Sequence, residues 1–485
     1  MKIRLLAEAR GSYRKKFLDD MRKIDPDISV DLHFGDKNSD FDVPSLMRQE
    51  IKVALSGRLF DKEISNLPSL SLITNRDYES NLSRFIDQMH RASKKFVGRS
   101  HRMISIHEYI DYYHILASAI ADKIIEKNIT HVLFFDIPHL GIDTVIYDVA
   151  VALELKIIIL SQQFPNGVFS CSRIEDVGKI NFDFMPEDQI SEKSANTDMW
   201  YMKPEWQTKT KNGKIGLQEI FNFYAYFLRR QPTKLFDFRY QRNLLSVLSR
   251  TLNAFPYWRS PFNKFFNFDW LAYLINLENA QSTDINFDQN YVYVPLHLQP
   301  EMTTSALGSI YRDQLLMLEK LSAILPSGWK ILVKENPKQG PFARDPMFFQ
   351  RFARIPNLIM VCAESNSLDL IKHSKMVATV TGTAALEAAE NGKPAVVFGN
   401  AWFRRIHGIF EFDPHIDIQT ISLAEIDTNL VKKQQRYLID RLHYINIDKG
   451  FFEQVANFDE DDNSQKVGRL ICDILTGRED LLFSE

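Results

Sequence analysis

The stretch VATVTGTAALEAAENGKPAVVFG, residues 377–399, decides the fold class. Residues 377–380 form a short β-branched run of the kind that becomes a buried strand. Thr381, Gly382 and Thr383 then make a tight turn, and residues 384–391 are rich in the helix formers Ala, Leu and Glu. Gly392 suits the left-handed position after a helix, and Pro394 stops the helix from continuing. Residues 395–399 are a second apolar run. This is a βαβ unit, whose parallel strands need helices on both faces.

The same stretch carries the first candidate site. A helix N-terminus bears about half a positive charge and free N–H groups, and so receives phosphate readily. Glu387 lies one helical turn beyond Thr383 on the same face, where a carboxylate can accept hydrogen bonds from two ribose hydroxyls. Thr381, Gly382, Thr383 and Glu387 are therefore candidate phosphate and ribose contacts. The competing reading is an ordinary crossover with a Thr cap and a surface Glu.

Working outward, a second α/β domain surrounds this unit. Strands are expected at 291–298, 329–336 and 357–363, and helices at 309–325, 346–353 and 367–373. QPEMTTSALG, residues 299–308, and NAWFRRIHGIFEF, residues 400–412, read as loops; the latter carries Trp402, Arg404, Arg405 and His407. The tail is helical by pattern over 424–447 and 466–475. FDEDDN, residues 458–463, reads as a solvated acidic loop between them.

Upstream, residues 1–175 predict another α/β domain, with strands at 3–7, 28–34, 131–136 and 156–160 and helices at 109–127 and 144–153. Open α/β sheets bind ligands beyond the carboxyl ends of their strands. His139 and Asp143 both stand in such a loop, after HVLFFD. The plainer roles are a helix cap for Asp143 and turn packing for His139.

Residues 180–285 lack the βα rhythm. Within 221–268 there are eight Lys or Arg against one acid, Asp237, interleaved with aromatics such as Phe223, Tyr226, Phe236, Tyr257 and Trp258. That mixture suits an anionic membrane surface. It equally suits helices with aromatic cores and solvated bases, and no RNA-binding motif accompanies it. Residues 277–290 are polar and turn-rich and read as a linker.

At 485 residues the chain exceeds what one core serves, so two domains are expected. A hydrophobic content of 45% and a charged content of 25% place it among soluble globular proteins. The net charge of −3 argues against a generally basic nucleic-acid binder, and nucleic acid is not an expected partner. Three scattered cysteines, Cys171, Cys362 and Cys472, offer no disulfide framework and fit a reducing compartment. No apolar run reaches the roughly 18 residues of a membrane span, and the first residues are too charged for a signal peptide. A cytoplasmic location is expected, peripheral on the inner membrane face if 221–268 meets lipid. No His/Cys cluster has ligand spacing and no DxD-like cluster ends a strand, so no metal is expected.

QPE at 299–301, KENP at 334–337, TGTAALEAAENGKP at 381–394 and FGNAWF at 398–403 together resemble the capsule polysaccharide biosynthesis family. That family includes the Kdo-transferase-like glycosyltransferases of bacterial surface polysaccharides. The resemblance covers residues 291–410, and PHLGID at 138–143 extends it more weakly. It implies a GT-B-like α/β fold: two Rossmann-like, doubly wound domains facing a cleft, a helical insertion, and C-terminal helices crossing back. The implied boundaries are 1–285 for the acceptor-side domain with its insertion at about 180–285, 286–425 for the nucleotide-sugar domain, and 426–485 for the crossing helices.

By the same resemblance, Gly382 and Thr383 approach the donor phosphate and Glu387 its ribose. Lys334 and Asn336 occupy a strand-end motif that usually reads Lys-Glu-His-Pro. Asn336 in place of histidine can donate a hydrogen bond but supplies no proton or charge. Lys334, Arg404 and Arg405 are candidates for stabilising the departing phosphate. Asp143 leads His139 and Glu301 as catalytic candidates. The implied reaction moves a sugar from a CMP- or UDP-sugar to a glycan or lipid-linked acceptor, with no cofactor beyond that co-substrate. Two alternatives stand beside it: a UDP-sugar 2-epimerase, for which no acid–base constellation is evident, and a non-catalytic nucleotide-sugar or glycan-binding subunit.

Overall fold

A computed structural model describes residues 2–35, 40, 78–96, 106–183, 185, 238, 242, 268–282, 285–340, 343–362 and 365–484. Most of the region read as a helical insertion, and nearly all of the basic–aromatic segment 221–268, lies outside the described residues. The chain divides into two compact units. One comprises Met1–Ile190, Pro300–Met317 and Met376–Glu485, the other Ser191–Gln299 and Leu318–Lys375.

The first unit opens with β1 (Ile3–Glu8), α1 (Gly11–Ile24) and β2 (Ile28–Phe34). The helices α2 (Tyr78–Phe96) and α3 (Ile106–Glu126) lead to β3 (His131–Phe134), α4 (Ile142–Ala152), β4 (Lys156–Phe164) and β5 (Gly167–Cys171). The sheet order is β2-β1-β3-β4-β5, parallel except for the β4–β5 hairpin. The chain leaves β1 for β2 on one side and returns to β3 on the other. The β1–β3 boundary is therefore the switch point at which open α/β sheets place ligands. The strand read over 156–160 runs on to Phe164 and turns through Pro165 and Asn166. Asn166 takes φ +58°, a conformation asparagine tolerates, and the antiparallel β5 was not anticipated.

The second unit contains α5 (Phe268–Ala280), β6 (Gln281–Ser282) and β7 (Tyr291–Pro295). Residues 277–282 are thus helix and strand rather than linker, because β6 pairs in parallel with a later strand. Next along the chain come α6 (Met302–Ser305), a 3-10 turn over Ser309–Arg312, and α7 (Gln314–Ala323). The single helix read over 309–325 is broken because Asp313 caps a new one. Its Oδ1 accepts the Leu315 and Leu316 N–H groups at 3.1 and 3.2 Å. Then follow β8 (Lys330–Lys334), α8 (Pro346–Phe352), β9 (Leu358–Val361) and α9 (Ser367–His373). Within the second unit β7, β8, β9 and β6 pair in parallel in that order.

The remaining elements return to the first unit: β10 (Met376–Thr379), α10 (Ala384–Glu390), β11 (Ala395–Val397) and β12 (Ile409–Glu411). The three strands are parallel, with Val377 opposite Ala395 and Ala395 opposite Ile409. Residues 400–412, read as a loop, therefore end in a strand. The α/β class with parallel sheets and crossover helices is borne out.

Four helices close the chain: α11 (Ile418–Ser422), α12 (Thr428–Asp440), α13 (Lys449–Phe452) and α14 (Glu460–Leu475). The helix read over 424–447 is shorter, since Asp427 caps it and His443 bridges to Val168 beyond its end. The acidic stretch 458–463 is a helix start, not a loop. Asp459 accepts the Asp461 and Asp462 N–H groups, and Glu460, Asp461 and Asp462 occupy the first turn, where the helix dipole favours negative charge.

The sheet face bearing Leu5, Ala7, Leu133 and Leu160 packs into one core with Phe17 and Met21 of α1 and Val467, Ile471 and Cys472 of α14. The two helices approach closely at Gly468, where a Cβ would lie 2.8 Å from the Met21 nitrogen. Among the described residues no helix is long and apolar enough to cross a membrane.

Candidate functional site

At the carboxyl end of β10 the chain turns through Thr381, Gly382 and Thr383 into α10. The Gly382 N–H donates to Thr379 Oγ1 at 3.2 Å, which shapes the turn. The Thr381 hydroxyl donates to the Thr303 carbonyl at 2.8 Å, so it fastens the 300–308 segment to the turn. The fit is tight: a Cβ on Gly399 would fall 2.7 Å from the Leu307 carbonyl oxygen.

Thr383 holds the N-cap position of α10 without a capping bond. Its hydroxyl donates instead to Glu387 Oε1, one turn on, at 3.3 Å. Burial raises the Glu387 pKa above the ordinary value, opposed by the Thr383 hydrogen bond and reinforced by Glu390. Glu387 Oε2 has no partner among the described residues. The structure thus brings Thr381, Gly382, Thr383 and Glu387 together on one strand–turn–helix.

Arg404 and Arg405 follow β11 in the same unit. Arg404 is only 5% exposed and donates to Asn400 Oδ1 at 2.7 Å and to the Glu175 carbonyl at 2.5 Å. It also pairs with Glu411 at 3.1 Å, and burial lowers its pKa. These bonds tie the loop to the turn over Ile174–Asp176. Arg405 is more open and pairs with Glu411 at 3.2 Å. Glu301 begins α6 in a capping box with Thr304.

The carboxyl ends of β1 and β3 hold a second polar group. Glu8, the last residue of β1, is buried; its Oε2 accepts the Phe135 N–H at 2.9 Å and its Oε1 pairs closely with Arg14. Arg14 also reaches the Phe135 carbonyl at 3.3 Å. Asp136 accepts the Ile137 N–H at 2.8 Å and the Ser161 hydroxyl at 3.0 Å, and burial raises its pKa while His139 opposes the rise. Asp143 accepts three N–H groups of its own loop, those of His139, Leu140 and Thr144, at 3.1, 2.7 and 2.8 Å. His139 Nδ1 lies 2.6 Å from the Ile137 carbonyl oxygen. A carbonyl only accepts, so Nδ1 carries a proton, and in the neutral ring the lone pair is on Nε2. The loop therefore brings His139 and Asp143 together in different roles. Sequence reading passed over Glu8, Arg14 and Asp136, although an acid at the last residue of a strand was a usable signal for two of them.

In the second unit Lys334 Nζ donates to the Ser365 carbonyl at 2.6 Å and to Ser367 Oγ at 3.0 Å. Asn336 Oδ1 accepts the Lys338 N–H at 2.9 Å, shaping the loop after β8. Between them Glu335, passed over in the sequence, accepts Arg344 Nε at 2.7 Å. Burial, with the Arg344 charge, lowers the His297 pKa to about 4. Among the described residues no group of three or more His, Cys, Asp or Glu is arranged to hold a metal ion.

No curated protein matches the chain. Among solved structures, the beta Kdo 2,7 transferase KpsC of Thermosulfurimonas dismutans is 12% identical. The match covers 65% of this chain and 78% of that one at a TM-score of 0.29. The UDP-GlcNAc 2-epimerase of Methanocaldococcus jannaschii is 11% identical, with 98% and 100% covered, at a TM-score of 0.23. At TM-scores this low neither likeness carries an argument about this chain. A family model is different in kind: one described as capsule polysaccharide biosynthesis protein matches residues 249–446. That interval contains all four loop motifs, from QPE to FGNAWF, while PHLGID lies outside it. The resemblance read from those motifs is borne out: residues 249–446 of this chain match the model of the capsule polysaccharide biosynthesis family.

Proposed function

We propose that the protein is a glycosyltransferase that moves a sugar from a nucleotide-sugar donor to a growing surface polysaccharide or lipid-linked acceptor, without a metal. The observation that carries this reading is the Thr383–Glu387 pair, at a strand's carboxyl end inside the matched interval. Glu387 Oε1 is steadied by Thr383, and Oε2 is open to accept from ribose hydroxyls. The donor phosphate lies at the turn, near the N–H groups that open α10, whose partial positive charge favours the departing anion.

The acceptor hydroxyl needs a base. Asp143 has both oxygens committed to its loop and Glu301 is engaged at a helix start, whereas His139 Nε2 has no partner among the described residues. His139 takes the proton as the acceptor oxygen bonds to the anomeric carbon and the bond to the donor phosphate breaks. The nucleotide leaves with the electron pair of that bond. Asp143 keeps the His139 loop in place, and Asp136 favours the imidazolium that forms.

Glu387→Ala is expected to weaken nucleotide binding by about 1–3 kcal/mol, the cost of losing hydrogen bonds to a charged acceptor, with the melting temperature little changed. Calorimetry with UDP and CMP measures this, and unaltered affinity removes the ribose role. Incubation with UDP- and CMP-sugars, with and without a surface-glycan extract, tests the reaction itself. Nucleotide release that depends on the extract supports transfer, and isomerised sugar without transfer supports the 2-epimerase alternative.

A further inference from the structure

We propose that the first unit holds an anionic oligosaccharide in a cavity away from the donor site, at the end of its N-terminal sheet opposite the β1 and β3 carboxyl ends. The cavity measures about 920 Å³ and is lined by the first residues of β3 and β4, His131 and Lys156. Arg173 and Lys179 beyond β5, Tyr437 and Arg441 at the end of α12, and residues 476–477 and 479–482 complete it. Ligand pockets run from about 300 to 1,000 Å³, so the space is ample for several sugar rings.

Its charge selects an anion. Lys156, Arg173, Lys179 and Arg441 line it against two carboxylates, Glu479 and Asp480. Lys179 is offset by Asp176 at 3.4 Å, and Arg441 Nη1 lies 3.0 Å from the neutral Tyr437 hydroxyl. Lys156 and Arg173 have no ion-pair partner among the described residues.

A second, independent observation points to hydroxyls as well as charge. His131 is 8% exposed, and its Nδ1 lies 2.8 Å from Thr130 Oγ1. That hydroxyl already donates to the Arg4 carbonyl at 3.2 Å, so Nδ1 is the donor and Nε2 the bare acceptor. No described residue fills Nε2, and burial with the Lys156 charge keeps the ring neutral down to about pH 4. A neutral imidazole nitrogen beside cations accepts a hydroxyl hydrogen, and a sugar offers several of these along with whatever anionic group it bears. The half-buried Tyr437 ring, 6.1 Å from that of Phe182, adds a flat apolar wall. Only the identity of the ligand as a saccharide rests on the polysaccharide reading above.

Calorimetry on the full chain, with no donor present, uses three probes: hexagalacturonate with one carboxylate per sugar, neutral maltohexaose, and inorganic phosphate. Hexagalacturonate is expected to bind at least tenfold more tightly than either of the others and to weaken as salt rises. Lys156→Gln with Arg173→Gln lowers its affinity at least tenfold. Arg441→Gln, at an exposed position, lowers it several-fold and serves as the test if the double variant fails to fold. Glu387→Ala leaves it unchanged, which separates this cavity from the donor site. Equal binding of the two hexasaccharides, phosphate binding as tightly as hexagalacturonate, or affinity unchanged in the folded variants overturns the proposal.

Discussion

Two acid–arginine pairs stand at strand ends, one in each unit, and they differ in how completely they are satisfied. Glu335 and Arg344, after β8, leave nothing over. Arg344 is 1% exposed, donates to Glu335, to Gln299 Oε1 at 2.8 Å and to the Ala343 carbonyl at 2.9 Å, and stacks 4.4 Å from the Phe348 ring centroid. Glu335 Oε1 also accepts the Asn336 N–H at 2.9 Å. Glu8 and Arg14, at the end of β1, are less complete: Arg14 Nε is buried with no partner among the described residues. Their neighbours include Asp136, with its raised pKa, and a histidine loop with an open nitrogen. A saturated pair fixes a loop and does no more, whereas an incomplete one borders groups that can still bind or move a proton.

Arg344→Met should show the largest effect on stability. It leaves Glu335 buried without its cation, at a cost of about 3–5 kcal/mol in urea unfolding. Adding Glu335→Gln should recover part of that loss, and a harmless Arg344→Met would mean the pair is not the loop's fastening. His139→Gln sharpens the other side of the comparison. Turnover should fall at least about a hundredfold, roughly 2.7 kcal/mol, with the melting temperature unchanged. Near-normal turnover in that variant would clear the imidazole.

Asp143→Asn is expected to do least. Asparagine keeps one acceptor oxygen and loses the other, costing about 1 kcal/mol of stability and a correspondingly small part of turnover. A hundredfold loss with an unchanged melting temperature would return the chemistry to the carboxylate.

Periodic residues and strong punctuation made the second βαβ unit legible. Val377 to Val380, the Ala-rich helix, and Gly392 at φ +72° before Pro394 all pointed the same way. The three-residue strand Ile409–Glu411 was hidden because it is too short to show a period and exists only by pairing with β11. Asp313 and Asp459 were legible in principle as caps, but each sat in a stretch whose overall composition suggested something else. Polar chemistry was the harder part. Asp143 and His139 were found by their place after a strand. Which of their atoms stays open depends on hydrogen bonds made in the fold, and a sequence pattern does not show those. Arg404 reads as a free cation in the sequence and is spent on Asn400, Glu411 and a carbonyl.

The packing of α14 on α1 bears on how the protein is made. The Cys472 thiol donates to the Met21 carbonyl across 451 residues of chain. At ribosomal rates of about 5–20 residues per second, the sheet face beneath these helices waits some 20–90 s for its cover. Phe17, Met21 and Leu133 stay open to solvent, or to whatever holds nascent chains, through that interval. Early completion is thereby closed to the amino-terminal sheet: its core closes only after residues 460–475 have been made, however strong its strands are.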